Sequence, residues 1–209
     1  MILDGFFRSS ASWRVRIALN LKGVTVEGRY YRLRAGDQRQ PAYLAINPQG
    51  LVPALTLDDG TTLTQSLAIC EYLDEQYPEP PLLPADKVGR ARARALAQVM
   101  ACDVHPLQNL KILQRLAACG LDEDAVNAWA RTTIDEGLDA FEALLGDRSG
   151  PFCCGEAPSL ADLCLIPQLG NARRFGVDLR WRNIAAIEAH CMALPAFADT
   201  APERQPDAR

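Results

Sequence analysis

Three serines and three arginines fall within nine residues, Arg8-Ser9-Ser10-Ala11-Ser12-Trp13-Arg14-Val15-Arg16. Hydroxyls that donate and guanidinium groups that attract make this the composition of an anion site. The flanking pattern decides where such a site stands. Met1 to Phe7 reads as a short buried strand, and from Trp13 apolar residues recur at helical spacing (Trp13, Ile17, Leu21; Val15, Ala18, Leu19) until Gly23 ends the helix. Ser12 is expected to cap that helix. First-turn N–H groups are unpaired and carry the positive end of the macrodipole, so a thiolate or carboxylate held there gains roughly 0.3–2 kcal/mol. The competing reading makes Ser9, Ser10 and Ser12 loop and cap residues only.

The chain that carries this segment has 209 residues, 48% of them hydrophobic, which is enough for one large or two modest domains. A net charge of −4 argues against nucleic acid and anionic membrane surfaces as partners. Of 22 basic residues only Lys22, Lys87 and Lys111 are lysine. The rest are arginine, whose planar fork grips carboxylates. No apolar run reaches the length of a membrane span, and no leader pattern opens the chain, so a cytoplasmic protein is expected. The seven cysteines include no Cys-x-x-Cys pair and mostly fall in helical patterns, where a reduced thiol is a small core hydrophobe. Adjacent Cys153 and Cys154 are read as structural, and His105 and His190 do not make a metal site.

Strand and helix signals alternate as far as Tyr77. Val26–Arg32 and Val52–Leu57 read as strands, Asp58-Asp59-Gly60 as a hairpin turn into Thr61–Thr64, Gln40–Ala45 as a short helix and Ser66–Tyr77 as a closing one. The order is βαβ, then ββα. The run Pro78 to Pro84 cannot be helical and marks a boundary between a domain at 1–80 and an all-helical domain at 86–209. In the second domain, Lys87–Ala118 is expected to be one long helix bent at Pro106, and Asp122–Leu145 a second. Ser159 with Asp162 opens a third as a capping-box variant, and Asn183–Ala193 forms a last helix. The polar tail from Ala201 is expected to be loose.

Several runs carry a family resemblance: Ser9 to Leu19, Asn47-Pro48-Gln49-Gly50-Leu51-Val52-Pro53, Gln65-Ser66-Leu67-Ala68-Ile69, His105-Pro106-Leu107-Gln108-Asn109, Ala161 to Gln168 and Ala172 to Leu179. With these motifs the chain resembles the zeta class of cytosolic glutathione transferases almost end to end. The resemblance implies an α/β thioredoxin-like domain followed by an all-α domain, a homodimer, and glutathione as cofactor. One departure stands out. Where the zeta motif usually reads Ser-Ser-Cys-Ser, this chain has Ser9-Ser10-Ala11-Ser12, without the thiol.

The same resemblance assigns roles. Ser9, supported by Ser10, would donate a hydrogen bond to the glutathione sulfur, with Ala11, Ser12 and Arg14 lining the same turn. Val52-Pro53 would supply the backbone that pairs with the cysteinyl unit, Pro53 being the family's cis-proline. Gln65 and Ser66 would take the γ-glutamyl carboxylate, with Gln49 alongside. Gln38 resembles the residue that reaches the glycyl end, although a solvated polar residue reads equally well there. Arg8 and Arg174 would bind a dianionic maleyl substrate, Arg173 being a surface residue. His105 and Asn109, placed one helical turn apart on one face, and Lys111 after them would border the ligand cleft. The implied activity is glutathione-dependent cis–trans isomerisation of maleylpyruvate or maleylacetoacetate in aromatic-compound breakdown. The alternatives are a transferase or dehalogenase acting on α-halo acids or other electrophiles, and a protein that binds glutathione without chemistry.

Overall fold

A computed structural model describes residues 1–208. The chain forms two compact units that divide between Leu82 and Leu83. In the first, strands β1 (Ile2–Gly5), β2 (Glu27–Tyr30), β3 (Ala54–Thr56) and β4 (Thr62–Thr64) make a sheet in the order β2-β1-β3-β4. β1 and β2 are parallel, and helix α1 (Ser10–Leu21) is the crossover such a pair requires. β3 runs antiparallel to β1, with Asp4 opposite Ala54, and the hairpin to β4 is closed by the Thr61 N–H donating to the Asp59 carboxylate at 2.8 Å. A short helix, α2 (Pro41–Leu44), follows β2. Helix α3 (Ser66–Gln76) packs on α1, and Val15, Ile17, Ala18, Leu55, Ile69 and Leu73 are fully buried. The βαβ-ββα reading matches this order, although each strand is shorter than its apolar run.

The linker is fastened to this unit by a buried lysine. Lys22 Nζ donates to Asp74 at 2.7 Å and to the Pro80 carbonyl at 2.5 Å, and the Leu82 N–H donates to the same carboxylate. Far along the chain, residues from Ala193 onward return to the first unit. The helical domain therefore does not run from 86 to the end of the chain, and the segment after Ala201 is not loose. The returning segment is held by apolar and polar contacts: Phe197 is fully buried in a short helix (Pro195–Ala198) that packs on α1, Thr200 accepts from Trp13 Nε1 at 3.1 Å, and past Ala201 the Asp207 carboxylate accepts the Phe7 N–H at 2.9 Å.

The second unit is helical. Two helices, α4 (Lys87–Gln98) and α5 (Leu110–Ala118), stand where one bent helix was expected. Between them the backbone widens to a π turn (Val99–Val104) and then tightens to a 3₁₀ turn (His105–Gln108). Pro106 offers no N–H to the α ladder, and the chain absorbs that loss over ten residues by changing helix type and starting afresh. Val104 packs directly on Gly137 of α6 (Glu123–Leu145), where an added Cβ would lie 2.2 Å from its methyl. Asp122 caps α6 through the Ala125 N–H. Helix α7 (Leu160–Arg174) packs against α4, and α8 (Arg182–Met192) packs against α7. The buried Asp162 carboxylate accepts from the Ser159 N–H and hydroxyl, both at 2.8 Å, and from the Cys153 N–H at 2.9 Å, as the capping-box reading requires. Burial raises the thiols of Cys153, Cys154 and Cys191, which fits structural cysteines.

Candidate glutathione site

The cap of α1 is Ser9, three residues earlier than expected. Its side chain accepts the Ser12 N–H at 3.2 Å while its backbone is extended, and helix geometry starts at Ser10. Ser12 instead points inward, fully buried, at the close approach between α1 and Gly5, where an added Cβ would lie 3.3 Å from its Oγ. That correction bears on chemistry. A hydroxyl oxygen that accepts a helix N–H keeps its own hydrogen for donation, so the cap role and a thiol-donor role are compatible in Ser9. Ser10 is buried, Ala11 half-buried in the first turn, and Arg8 exposed with its guanidinium over the Phe7 ring at 5.2 Å.

The start of α3 is the second part. Gln65 adopts φ 68°, a conformation that costs a non-glycine residue about 1–3 kcal/mol. It is held there by its carbonyl accepting the Ile69 N–H and by its Nε2 donating to Gln49 Oε1 at 3.0 Å. Behind it Ser66 is buried, and its Oγ accepts from Arg14 Nη1 at 3.2 Å. Arg14 is 2% exposed, and its Nε and Nη2 have no protein acceptor. A buried cation with unsatisfied donors is costly unless an anion approaches, and the α3 N-terminus adds unpaired N–H groups of the same polarity. A carboxylate such as glutathione's fits these residues.

The third part is the bond before Pro53, which is cis, as the resemblance implied. It lies just off the end of the ladder, since β3 begins at Ala54. Tyr43 Oη and Asn47 Nδ2 both donate to the Leu51 carbonyl, at 2.6 and 2.7 Å, and the Gln49 N–H donates to Asn47 Oδ1. The loop from 47 to 53 is thus fixed from inside. Gln38 is buried with its Nε2 on the Leu33 carbonyl, which removes the reading of it as a solvated residue.

In the helical unit, His105 sits in the 3₁₀ turn, while Asn109 has extended backbone and caps α5 through the Ile112 N–H at 3.2 Å. The two do not share a helical face, because no continuous helix connects them. Lys111 is exposed in the first turn of α5. At the end of α7, Arg173 forms a two-point salt bridge with Glu188, and Arg174 is exposed with its guanidinium 4.7 Å from the Phe175 ring.

Sequence reasoning left two residues out. Arg16, in the opening segment, donates to the carbonyls of Phe6 at 3.4 Å and Phe7 at 2.9 Å, and Asp207 accepts the Phe7 N–H at 2.9 Å. Arg16 was legible only as one of the three arginines of the opening segment, without a role of its own. Asp207, two hundred residues away, carried no local signal.

With this geometry in hand, the chain belongs to the glutathione S-transferase family: residues 8–76 match the model of its N-terminal domain and residues 90–191 that of its C-terminal domain. Within that family it is 47% identical to the maleylacetoacetate isomerase of Pseudomonas aeruginosa, over 99% of this chain and 98% of the relative. It superposes on a holo structure of maleyl pyruvate isomerase, described as a bacterial glutathione S-transferase of the zeta class, with a TM-score of 0.97, 49% identity and full coverage of both chains. A maleylacetoacetate isomerase from Methylobacterium extorquens with bound malonate and glutathione superposes with a TM-score of 0.96 at 45% identity, again over both whole chains. Among the described residues no helix is long and apolar enough to cross a membrane.

Proposed function

We propose that this protein is a glutathione-dependent cis–trans isomerase of a maleyl keto-acid, maleylpyruvate or maleylacetoacetate. The observation that carries the reading is Ser9 at the cap of α1, a hydroxyl with its acceptor side engaged by the helix and its hydrogen available for a sulfur. When bound, glutathione supplies a thiolate that adds to the conjugated cis double bond, allows rotation about the resulting single bond, and leaves again unchanged. The protein's part is to hold that sulfur ionised and to hold two carboxylates. Ser9 donates to the sulfur, with Ser10 beside it, and the α1 N-terminus favours the anion. Ser66, the α3 N-terminus and the charge of Arg14 hold the γ-glutamyl carboxylate, while the fixed backbone at Val52-Pro53 pairs with the cysteinyl unit. The substrate's carboxylates are assigned to Arg8 and Arg174, and His105, Asn109 and Lys111 to the ligand's surroundings. A homodimer in the cytoplasm is part of the same reading, which sedimentation and fractionation would check.

The test is a spectrophotometric assay of both maleyl substrates, with and without glutathione, followed by analysis of products. Turnover that requires glutathione and returns it intact is expected. Stoichiometric loss of glutathione into a conjugate would replace the reading with a transferase, and binding without turnover would replace it with a non-enzyme.

A further inference from the structure

The residue that presents the cap serine to its helix is gripped from a distant part of the chain. Phe7 precedes Arg8 and Ser9, and both polar groups of its backbone are occupied. Its N–H donates to Asp207 Oδ2 at 2.9 Å, and its carbonyl accepts from Arg16 Nη2 at 2.9 Å. Arg16 also donates to the Phe6 carbonyl at 3.4 Å, the same oxygen that accepts the Ser9 N–H at 3.0 Å and so closes the turn. The guanidinium is itself tied to the returning segment, since its Nε donates to the Thr200 carbonyl at 3.2 Å. Trp13, on the first turn of α1, adds the bond from its indole to Thr200 Oγ1, a hydroxyl that in turn donates to the Ala196 carbonyl at 2.7 Å. Every contact lies within the first unit.

Trp13 and Thr200 are buried, and Phe7, Arg16 and Asp207 are half-buried. Asp207 Oδ1 is buried without a protein partner. Burial lowers Arg16 to about 10, with Asp207 and Tyr30 acting in the opposite sense. Asp207 thus faces a half-buried cation while one of its oxygens holds the Phe7 N–H and the other is shielded from water. A surface tail needs none of this.

We propose that Asp207 is a positioning residue for Ser9: together with Arg16 it clamps the Phe6–Ser9 turn, so that the cap hydroxyl meets the glutathione sulfur at the distance a donor requires. The inference rests on reading Ser9 as the thiol donor. Acting through the Phe7 backbone, Asp207 touches neither glutathione nor substrate. Its effect belongs to thiol ionisation and to kcat, because loosening a donor by a fraction of an ångström weakens stabilisation of developing charge more than it weakens binding.

Three variants test it: Asp207→Ala, which removes the acceptor; Asp207→Asn, which keeps an amide oxygen for the Phe7 N–H; and Glu203→Ala, which removes an exposed charge from the same segment. The readouts are the pH titration of thiolate absorbance in the glutathione complex, kcat and KM, amide exchange at residues 3–9, and the melting temperature. For Asp207→Ala, kcat should fall about tenfold, the bound thiol should ionise at higher pH and the Phe7 amide should exchange faster, while glutathione affinity stays within about twofold. Asp207→Asn should recover most of the lost kcat, and Glu203→Ala should match the parent. Unchanged kcat and thiol ionisation in Asp207→Ala would overturn the proposal, as would equal loss in Ala and Asn variants. If Asp207→Ala does not fold, Asp207→Glu replaces it, keeping the charge but displacing the acceptor by one methylene, with the same outcomes required. Ser9→Ala measured beside them separates the two readings: a silent Ser9→Ala sinks the donor assignment itself, whereas a strong Ser9→Ala with a silent Asp207→Ala sinks only the clamp.

Discussion

Two arginines assigned to carboxylates, Arg14 and Arg174, sit in opposite surroundings. Arg14 is 2% exposed behind Ser66, with two donor groups lacking a protein acceptor. Arg174 is exposed at a helix end and lies over the ring of its neighbour Phe175. A buried, under-satisfied cation has already lost its hydration, so an arriving carboxylate meets a preset field. A surface arginine must give up water and rotamer freedom with each binding event, and such pairs contribute about 0–1 kcal/mol. The segments around them do not differ in the same way: side chains donate to the Leu51 carbonyl in residues 47–53 and Gln65 donates to Gln49, while Trp129 Nε1 donates to the Leu107 carbonyl and Asn109 Oδ1 accepts the Ile112 N–H in the turn that carries His105 and Asn109. Of the two arginines, the one assigned to glutathione is presented from the interior and the one assigned to substrate from the surface.

The contrast can be broken most sharply at its centre. Ser9→Ala should lower kcat by about ten- to a thousandfold with glutathione affinity little changed, and should also cost about 1 kcal/mol of stability because the acceptor that caps α1 goes with the donor. A titration of glutathione binding beside steady-state kinetics reads both, and a fall in affinity matching the fall in kcat would show that Ser9 contributes to holding the ligand as well. Next in size, Arg174→Ala should raise KM for the maleyl substrate about three- to fivefold and leave glutathione binding near the parent, with Arg174→Lys restoring only part because an ammonium lacks the fork. Equal weakening of both ligands would erase the distinction between the two arginines.

A smaller effect concerns stability of the first unit. Asp4, fully buried at the end of β1, accepts from Tyr31 Oη at 2.7 Å, and burial raises its carboxyl above the usual value of 3.8 despite that bond and the charge of Arg29. The folded state then holds its proton more tightly than the unfolded chain does. Stability from this group is present below 3.8 and is lost as pH rises through the folded-state value. Urea unfolding of the parent against Asp4→Asn should give a difference that grows in favour of the variant over that window and is flat at higher pH. A difference of opposite slope would refute the assignment. Smallest of all, Ala11→Cys should change turnover less than threefold, about 0.65 kcal/mol on the barrier, because a hydroxyl donor and a helix N-terminus already hold the sulfur. A gain of an order of magnitude would show that Ala11 marks lost chemistry.

Local chemistry in the sequence was enough for the βαβ-ββα order and for Asp122 and Ser159 as helix starts. In each of these cases neighbours in the chain decide the structure. Ser12 was mistaken for the cap because Ser9 and Ser12 are chemically alike. What separates them is where β1 ends and the Phe6 carbonyl catches the Ser9 N–H, a tertiary matter. Pro106 signalled a disturbance but not its form, since a kinked helix and a π turn followed by a restart answer the same missing N–H. The strained backbone of Gln65 has no signature in a glutamine, and the return of the polar tail rests on partners two hundred residues away.

That return has a consequence for the order in which the molecule is made. The first unit is discontinuous: residues 83–192 are synthesised between its two pieces. During translation the sheet, α1 and α3 leave the ribosome early, but Trp13, Arg16 and Phe7 must wait for Thr200 and Asp207 until the whole helical unit has followed. The contacts that finish the Ser9 turn are therefore among those of largest sequence separation in the chain, the kind that form late and that slow folding. A nascent chain halted at the end of α8 would hold α1, α2 and α3 of the first unit and still lack the grip on the Ser9 turn.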